Sequence, residues 1–322
     1  MHAIRVHQIG GPEVLRYESV ERPSPGAGQA LVQLEATGIN FLEVYQRTGL
    51  YQVQLPFTPG SEAGGTVVEV GPRVTSVRVG DRVASVNFAG SYGEFALAPA
   101  ERLVKLPDGV STRLGAAVML QGITAQYLAS STFPLASGHV CLIHAAAGGV
   151  GLLLCQIARR RGARVIGTVS TEEKAALARE AGAHEVILYT EQDFQVETMK
   201  QTGQGGVDVV YDSVGRTTFA KGLECLAPRG MMVLYGQSSG PVEALDPQIL
   251  NRKGSLFLTR PSLGHYVATN AELLQRASDV LGWVADGSLK VRIGHEFPLA
   301  AAPQAHTELE ARRTTGKVLL IP

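Results

Sequence analysis

The stretch HAAAGGVG, residues 144–151, decides the fold. It follows the compact apolar run HVCLIHA (139–145) and opens GLLLCQIARRRG (151–162), which has helical length and a glycine stop. A glycine-rich turn between a strand and a helix is suited to cradling a phosphate on backbone N–H groups. Gly148 is expected to permit the tight turn, Gly149 to let the backbone approach a pyrophosphate, and Gly151 to allow close helix–strand packing. A helix starting near Val150 would add unpaired N–H groups and the positive end of its dipole.

Working outward, strands and helices alternate strictly. ARVIGTVS (163–170) reads as the next strand, and the helix after it opens with Ser170 and Glu173 at capping-box spacing. EVILY (185–189), VDVVYDSVG (207–215), MMVLYG (231–236) and SLFLT (255–259) follow as strands. Helices are expected over DFQVETMKQTG (193–203), TTFAKGLECLAPRG (217–230) and, as a short turn, PQILNRKG (247–254). Six strands with helical connections imply a six-stranded parallel sheet covered on both faces: an α/β, doubly wound Rossmann domain over residues 122–262.

Residues 1–121 have a different texture. ALVQLEATGI, GGTVVEVG, DRVASV and GEFALAP are short β runs punctuated by Gly, Pro and Asp, so a mostly β domain is expected, interrupted by a short helix in GINFLEVYQRTGLY (38–51). Residues 263–322 hold a long helix, a strand, another helix and the closing strand KVLLIP, which should return to the first domain.

Composition bounds the function. The 322 residues suffice for two domains, and 45% are hydrophobic. The 29 basic residues balance 29 acidic ones, which gives no bulk electrostatic argument for nucleic acid or a charged membrane surface as partner and leaves only a local basic patch open. The N-terminus lacks a signal-peptide pattern, and no run of apolar residues is long enough to span a bilayer, so a cytoplasmic protein is expected. Cys141, Cys155 and Cys225 are widely spaced in apolar stretches, as buried hydrophobes would be, and form no CxxC pair.

Cofactor choice is readable about 20 residues beyond the glycine turn, where an NAD site places an acidic residue for the ribose hydroxyls. Here Ser170 and Thr171 stand at the strand end and Lys174 lies in the first helical turn. Hydroxyls, a helix N-terminus and an ammonium suit a 2′-phosphate, so NADPH is the expected cofactor. The neighbouring Glu172 and Glu173 oppose this. The plainer alternative makes Ser170 a cap and Lys174 a solvated charge.

On these motifs the chain resembles the zinc-free quinone oxidoreductase (zeta-crystallin-like) branch of the medium-chain dehydrogenase/reductase superfamily, especially its bacterial NADPH:quinone reductases. GHVCLIHAAAGGVGLLLCQIAR carries the resemblance, and GINFLEVYQRTGLY, PGSEAGG, VYDSVG, LNRKGSLFLTRPS and GKVLLIP extend it over essentially the whole chain. It implies a GroES-like catalytic domain in residues 1–121, with residues 263–322 returning to it, and NADPH-dependent reduction of quinones in an interdomain cleft. Zinc-dependent relatives place a ligand Cys after the Thr-Gly-Ile turn and a His in a Gly-His-Glu segment. This chain has Asn40 and Ser61 there, keeps Glu62 alone and lacks the four-cysteine lobe, so no metal is expected.

The resemblance also implies roles for particular residues. Asn40, Tyr45 and Tyr51 would line the nicotinamide and acceptor site, Asn40 as donor or acceptor and the tyrosines as an aromatic wall and weak acid. Thr124 would contact the nicotinamide side and Tyr189 would flank the adenine. Ser213 and Gly236 end the fourth and fifth strands, where ligands of open α/β sheets sit. Arg312 would reach a cofactor phosphate from the C-terminal helix. Each also has a plain structural reading, as turn residue, packed tyrosine, helix-interior threonine or surface charge. His144 is expected to pack at the strand end rather than to act as acid or base, and Arg159–Arg161 to be a solvated helix terminus. An NADPH-dependent enal or enone reductase stays open as a second activity, and an NADPH-binding structural or RNA-binding role as a third. The apolar SLFLT at the sheet edge, with the resemblance, points to a homodimer.

Overall fold

The computed structural model describes all 322 residues and divides into two compact units. One comprises Met1–Ile123 with Val267–Pro322, the other Thr124–Tyr266. In chain order the first unit holds strands β1 (His2–Val6), β2 (Leu15–Ser19) and β3 (Gln29–Ile39), helix α1 (Phe41–Arg47), then β4 (Ala63–Val70), β5 (Arg82–Ser85), β6 (Phe95–Pro99) and β7 (Val104–Lys105). Helix α2 (Thr112–Tyr127) contains the boundary. The second unit runs β8 (Val140–Ile143), α3 (Gly149–Arg160), β9 (Arg164–Val169), α4 (Glu172–Glu180), β10 (Glu185–Leu188), α5 (Phe194–Gln201), β11 (Val207–Asp212), α6 (Phe219–Glu224), β12 (Leu226–Leu234), α7 (Gln248–Arg252), β13 (Phe257–Thr259) and α8 (Leu263–Tyr266). The chain then closes in the first unit with α9 (Asn270–Ala285), β14 (Ile293–Pro298), α10 (Ala302–Glu310) and β15 (Lys317–Ile321).

The second unit is a six-stranded, wholly parallel sheet in the order β10-β9-β8-β11-β12-β13. The order reverses at β8, the first strand of the unit, and in open α/β sheets the carboxyl ends of the strands at such a reversal, here β8 and β11, are where ligands sit. Its strands are apolar on both faces because helices cover both, and Leu142, Ile166, Ile187, Val210 and Met232 form one continuous core. Helix α3 buries Leu152, Leu153, Leu154, Cys155 and Ile157 while its end carries exposed Arg159 and Arg160. It stops in a Schellman turn: Gly162 is left-handed (φ 78°), its N–H donates to Arg159 O, and Ala163 N–H donates to Ala158 O.

Two boundaries differ from the sequence expectation. Helix α6 is only Phe219–Glu224, and LAPRG (226–230) belongs to β12 rather than to the helix. Pro228 and left-handed Arg229 sit where the β11–β12 register shifts, so the stretch expected to end the helix forms an irregular strand entry. Helix α4 is capped by Thr171, whose hydroxyl accepts from Lys174 N–H at 3.3 Å, not by a Ser170–Glu173 capping box. Ser170 therefore lies one residue outside the helix.

The first unit is built on a sheet ordered β14-β15-β3-β4-β5-β7, with β6 also paired to β3 and a separate β1–β2 hairpin. Its pairs are antiparallel except β14–β15. The long β3 is the hub, bonding β4, β6 and β15. Strand β15 pairs Val318 with Ile39, which brings the C-terminal Lys317 beside the end of β3 and the start of α1.

Candidate active site

Of the residues expected to hold the nucleotide, all but Arg312 lie in the second unit. The turn after β8 reaches its left-handed conformation at Ala145 (φ 52°), not at a glycine. Gly148 is extended (φ −76°), as the helix cap, and its N–H closes the turn onto Ala145 O at 2.9 Å. The tight-turn role expected of Gly148 therefore falls to Ala145. At Gly151 the close approach is to the turn rather than to the strand: a Cβ there would collide with the Ala145 carbonyl and Ala146 backbone. Helix α3 begins at Gly149, with Val150 in its first turn and no side-chain cap. Its first N–H groups, which in any helix have no intrahelical partner, are thus not taken by a side chain either.

His144 is wholly buried, its backbone N–H on Tyr211 O and its Nδ1 2.9 Å from Thr168 Oγ1. Its ring meets Phe194 edge-on, and burial lowers its pKa below the usual imidazole range, so it stays neutral and packs the strand end.

The next two strand ends form a joined platform. Asp212, fully buried, accepts from the N–H groups of Val214 (2.7 Å) and Gly215 (3.0 Å) and from the Thr218 hydroxyl. This Asx turn fixes the loop carrying Ser213. Ser213 O accepts from Ser238 N–H, and Gly236 approaches so closely that a Cβ there would lie 2.6 Å from that same oxygen. Asp212 was missed as an organiser, though an aspartate ending a strand two residues before Val-Gly was the available signal.

At the end of β9, Ser170 is half-buried, Thr171 exposed and Lys174 half-buried within the first turn of α4. Glu172 pairs with Arg179, seven residues on, which draws its charge along the helix. Tyr189 is exposed just beyond β10, its N–H on Val169 O. Thr124 is buried in α2. Arg312 is in the first unit, exposed and left-handed (φ 59°) beyond the end of α10, so it projects from a turn and not from the helix itself.

The residues expected to line the acceptor site lie in the first unit. Tyr45 is buried on α1, and its ring meets those of Phe41 (6.0 Å) and Tyr51 (5.3 Å). Tyr51 is partly exposed, its N–H on Tyr45 O. Asn40 precedes α1 and is buried in a polar knot. Its Nδ2 donates to Glu62 Oε2 at 3.0 Å and to Gly38 O at 3.4 Å. Its Oδ1 accepts from Lys317 Nζ at 2.9 Å and from Gln121 Nε2 at 3.4 Å. Glu62 also takes Lys317 Nζ at 2.5 Å and Leu120 N–H at 2.6 Å. Asn40 N–H donates to Glu43 Oε2 at 2.7 Å, and burial pushes the Glu43 carboxyl up to about 7 against the pull of Lys317. No three His, Cys, Asp or Glu side chains converge as a metal site would require.

Residues 26–108 match the alcohol dehydrogenase GroES-like domain and residues 149–278 the zinc-binding dehydrogenase domain, the two parts of a medium-chain dehydrogenase/reductase. The chain is 46% identical to the quinone oxidoreductase of Pseudomonas aeruginosa over 99% of both chains, and 43% identical to a 2-haloacrylate reductase of a Burkholderia species over 98% of both. The structure of Escherichia coli quinone oxidoreductase complexed with NADPH superposes with a TM-score of 0.98 at 42% identity, covering all of both chains. The chain belongs to the quinone oxidoreductase family.

Proposed function

We propose that this protein is an NADPH-dependent, metal-free quinone reductase. The observation that carries the reading is the knot around Asn40: where zinc-dependent relatives gather a metal's ligands, this chain gathers Lys317, Asn40 and Glu62. Reducing a simple ketone builds charge on an alkoxide and benefits strongly from a Lewis acid. Reducing a quinone builds charge on a phenolate-like oxygen, whose conjugate acid has a pKa of about 10, so positioning and hydrogen bonding suffice. NADPH would supply the hydride. The α3 N-terminus with Gly148, Gly149, Val150 and Gly151 would hold its pyrophosphate, and Ser170, Thr171 and Lys174 its 2′-phosphate. Ser213, Gly236, Thr124 and Tyr189 would shape the remaining cofactor contacts, with Arg312 a further phosphate contact. Asn40, Tyr45 and Tyr51 would face the acceptor.

The reading includes a homodimer and a cytoplasmic location. The exposed apolar edge of β13 supports the first, and three free, buried cysteines suit the second. No helix is long and apolar enough to cross a membrane.

The test follows NADPH oxidation with benzoquinone, a naphthoquinone and a short enone, before and after dialysis against a strong chelator. Quinones are expected to give the highest kcat/KM, unchanged by chelation. An enone outrunning both quinones would move the assignment to an enone reductase, and loss of activity on chelation, restored by zinc, would overturn the metal-free mechanism.

A further inference from the structure

The strength of the bonds around Asn40 is uneven. Two are short, from Lys317 Nζ to Oδ1 and from Nδ2 to Glu62 Oε2; the other two, to Gly38 O and from Gln121 Nε2, are both at 3.4 Å. An asparagine amide can be turned by half a rotation with little change of shape, exchanging its oxygen for its nitrogen. An ammonium on one side and a carboxylate on the other remove that freedom, because the Lys317 ammonium only donates and the Glu62 carboxylate, paired with it at 2.5 Å, accepts. Once the amide is fixed, the second Nδ2 hydrogen and the second Oδ1 lone pair, each held weakly by the protein, point in defined directions and can pass to a ligand.

We propose that Lys317 is a positioning residue for the acceptor site, acting with Glu62 to fix the orientation of the Asn40 amide. The inference rests on the reading that Asn40 faces the acceptor. The architecture around the pair serves the same end. Lys317 and Glu62 are both buried, and the third ammonium hydrogen goes to Ile39 O at 3.2 Å, so the cation is saturated by three protein oxygens. Glu62 uses its other oxygen on Leu120 N–H, so the carboxylate is anchored to α2 as well as to Lys317. Gly38 keeps the space open: a Cβ there would overlap Glu62 Oε2 and the end of the Lys317 side chain. The pairing of β15 with β3 carries Lys317 to this point, 277 residues along the chain from Asn40.

The test must separate orientation of Asn40 from general support of the fold. Removing one charge alone strands the other in the interior, whereas replacing both by apolar groups of similar size is tolerated by many folds. The informative variant is therefore Glu62→Leu with Lys317→Met, compared with Asn40→Ala and with the triple combination, by steady-state kinetics with benzoquinone and by NADPH binding from fluorescence. The double variant is expected to lose roughly a hundredfold in kcat/KM for benzoquinone, the scale of loss for a displaced reacting group, with NADPH affinity unchanged. Adding Asn40→Ala to it should cost nothing further. A double variant with wild-type kinetics overturns the proposal, as does a further loss in the triple variant equal to that of Asn40→Ala alone. If Asn40→Ala alone has wild-type kinetics, it is the acceptor-facing assignment of Asn40 that fails, and the proposal with it. Gly38→Ala, which keeps both charges but displaces them, gives the same comparison should the double variant fail to fold: it is expected to reproduce the Asn40→Ala loss, and wild-type kinetics there would overturn the proposal.

Discussion

Glu43 sits three residues beyond Asn40 with one oxygen on Asn40 N–H and the other, Oε1, buried without a partner. One helical turn on, Arg47 is equally buried and meets only Glu310, through Nη2. On a helix, Glu and Arg four apart read as a solvated pair. Here Tyr92, Lys317 of β15 and His306 and Glu310 of α10 stand around them, so their surroundings come from residues far away in sequence. The folded Glu43 keeps its proton up to about pH 7, while an unfolded glutamate releases it near the usual 4.5. Between those values the folded state binds more protons, so this group's contribution to stability is present at low pH and lost as pH rises through 7. His306, buried and lowered to about 3 from 6.5, has the opposite sign: its contribution is lost as pH falls below 6.5. The two slopes oppose each other over their shared window, and a variant separates them. The stability advantage of wild type over Glu43→Gln, from urea unfolding, is expected to be greater at about pH 5 than at about pH 8 by roughly 3 kcal/mol. An equal difference at both would show that Glu43 ionises as freely in the fold as out of it.

Among the elements, those of the second unit were legible because each strand is a continuous apolar run and each helix is bounded by capping or stop signals. The glycine turn, all six strands and the Schellman stop of α3 follow from short-range pattern. What escaped depends on partners brought from elsewhere: LAPRG reads as the end of a helix until β11 pairs with it, and nothing in the local sequence singles out Lys317 before β15 lays it against Asn40. The N-terminus of α4 lies between these cases. Its place was legible, but the cap is Thr171, which leaves Ser170 outside the helix and free of the capping role expected of it. With Glu172 drawn toward Arg179, the terminus is less acidic than its sequence suggests. A 2′-phosphate there would gain charge-assisted hydrogen bonds, so a preference for NADPH over NADH on the order of ten- to several-hundredfold is expected, at about 1.4 kcal/mol per decade. Lys174→Ala should raise KM for NADPH and barely affect NADH, and Ser170→Asp should invert the preference by opposing the phosphate and accepting from a ribose hydroxyl. Equal losses for both cofactors on Lys174→Ala would reduce the cluster to a helix terminus with a solvated charge.

For the whole molecule the question is which sheet edge, if either, pairs with a second copy. The six-stranded sheet ends in β10 on one side and β13 on the other. Edge β10 is guarded by charge: Glu185, its first residue, is held by the Arg164 guanidinium at 2.7 Å, and a desolvated ion pair would have to be covered by any strand docking there. Edge β13 carries no charge within the strand, and two of its three residues are exposed apolar side chains, Phe257 at 56% and Leu258 at 38%. Its backbone is paired to β12 on one side only. An uncharged apolar edge is a template for a further strand, and two copies meeting about a two-fold axis close the contact so that no filament grows. The protein is therefore expected to sediment as a dimer at micromolar concentration. Phe257→Lys with Leu258→Asp should halve the mass, because like edges brought together would bury charges. Since none of the residues assigned to NADPH lies in β13, the variant's cofactor affinity should match wild type, which also reports that its sheet is intact. A wild-type chain that sediments as a monomer, or a variant that stays dimeric with its cofactor bound, would move the interface away from this edge.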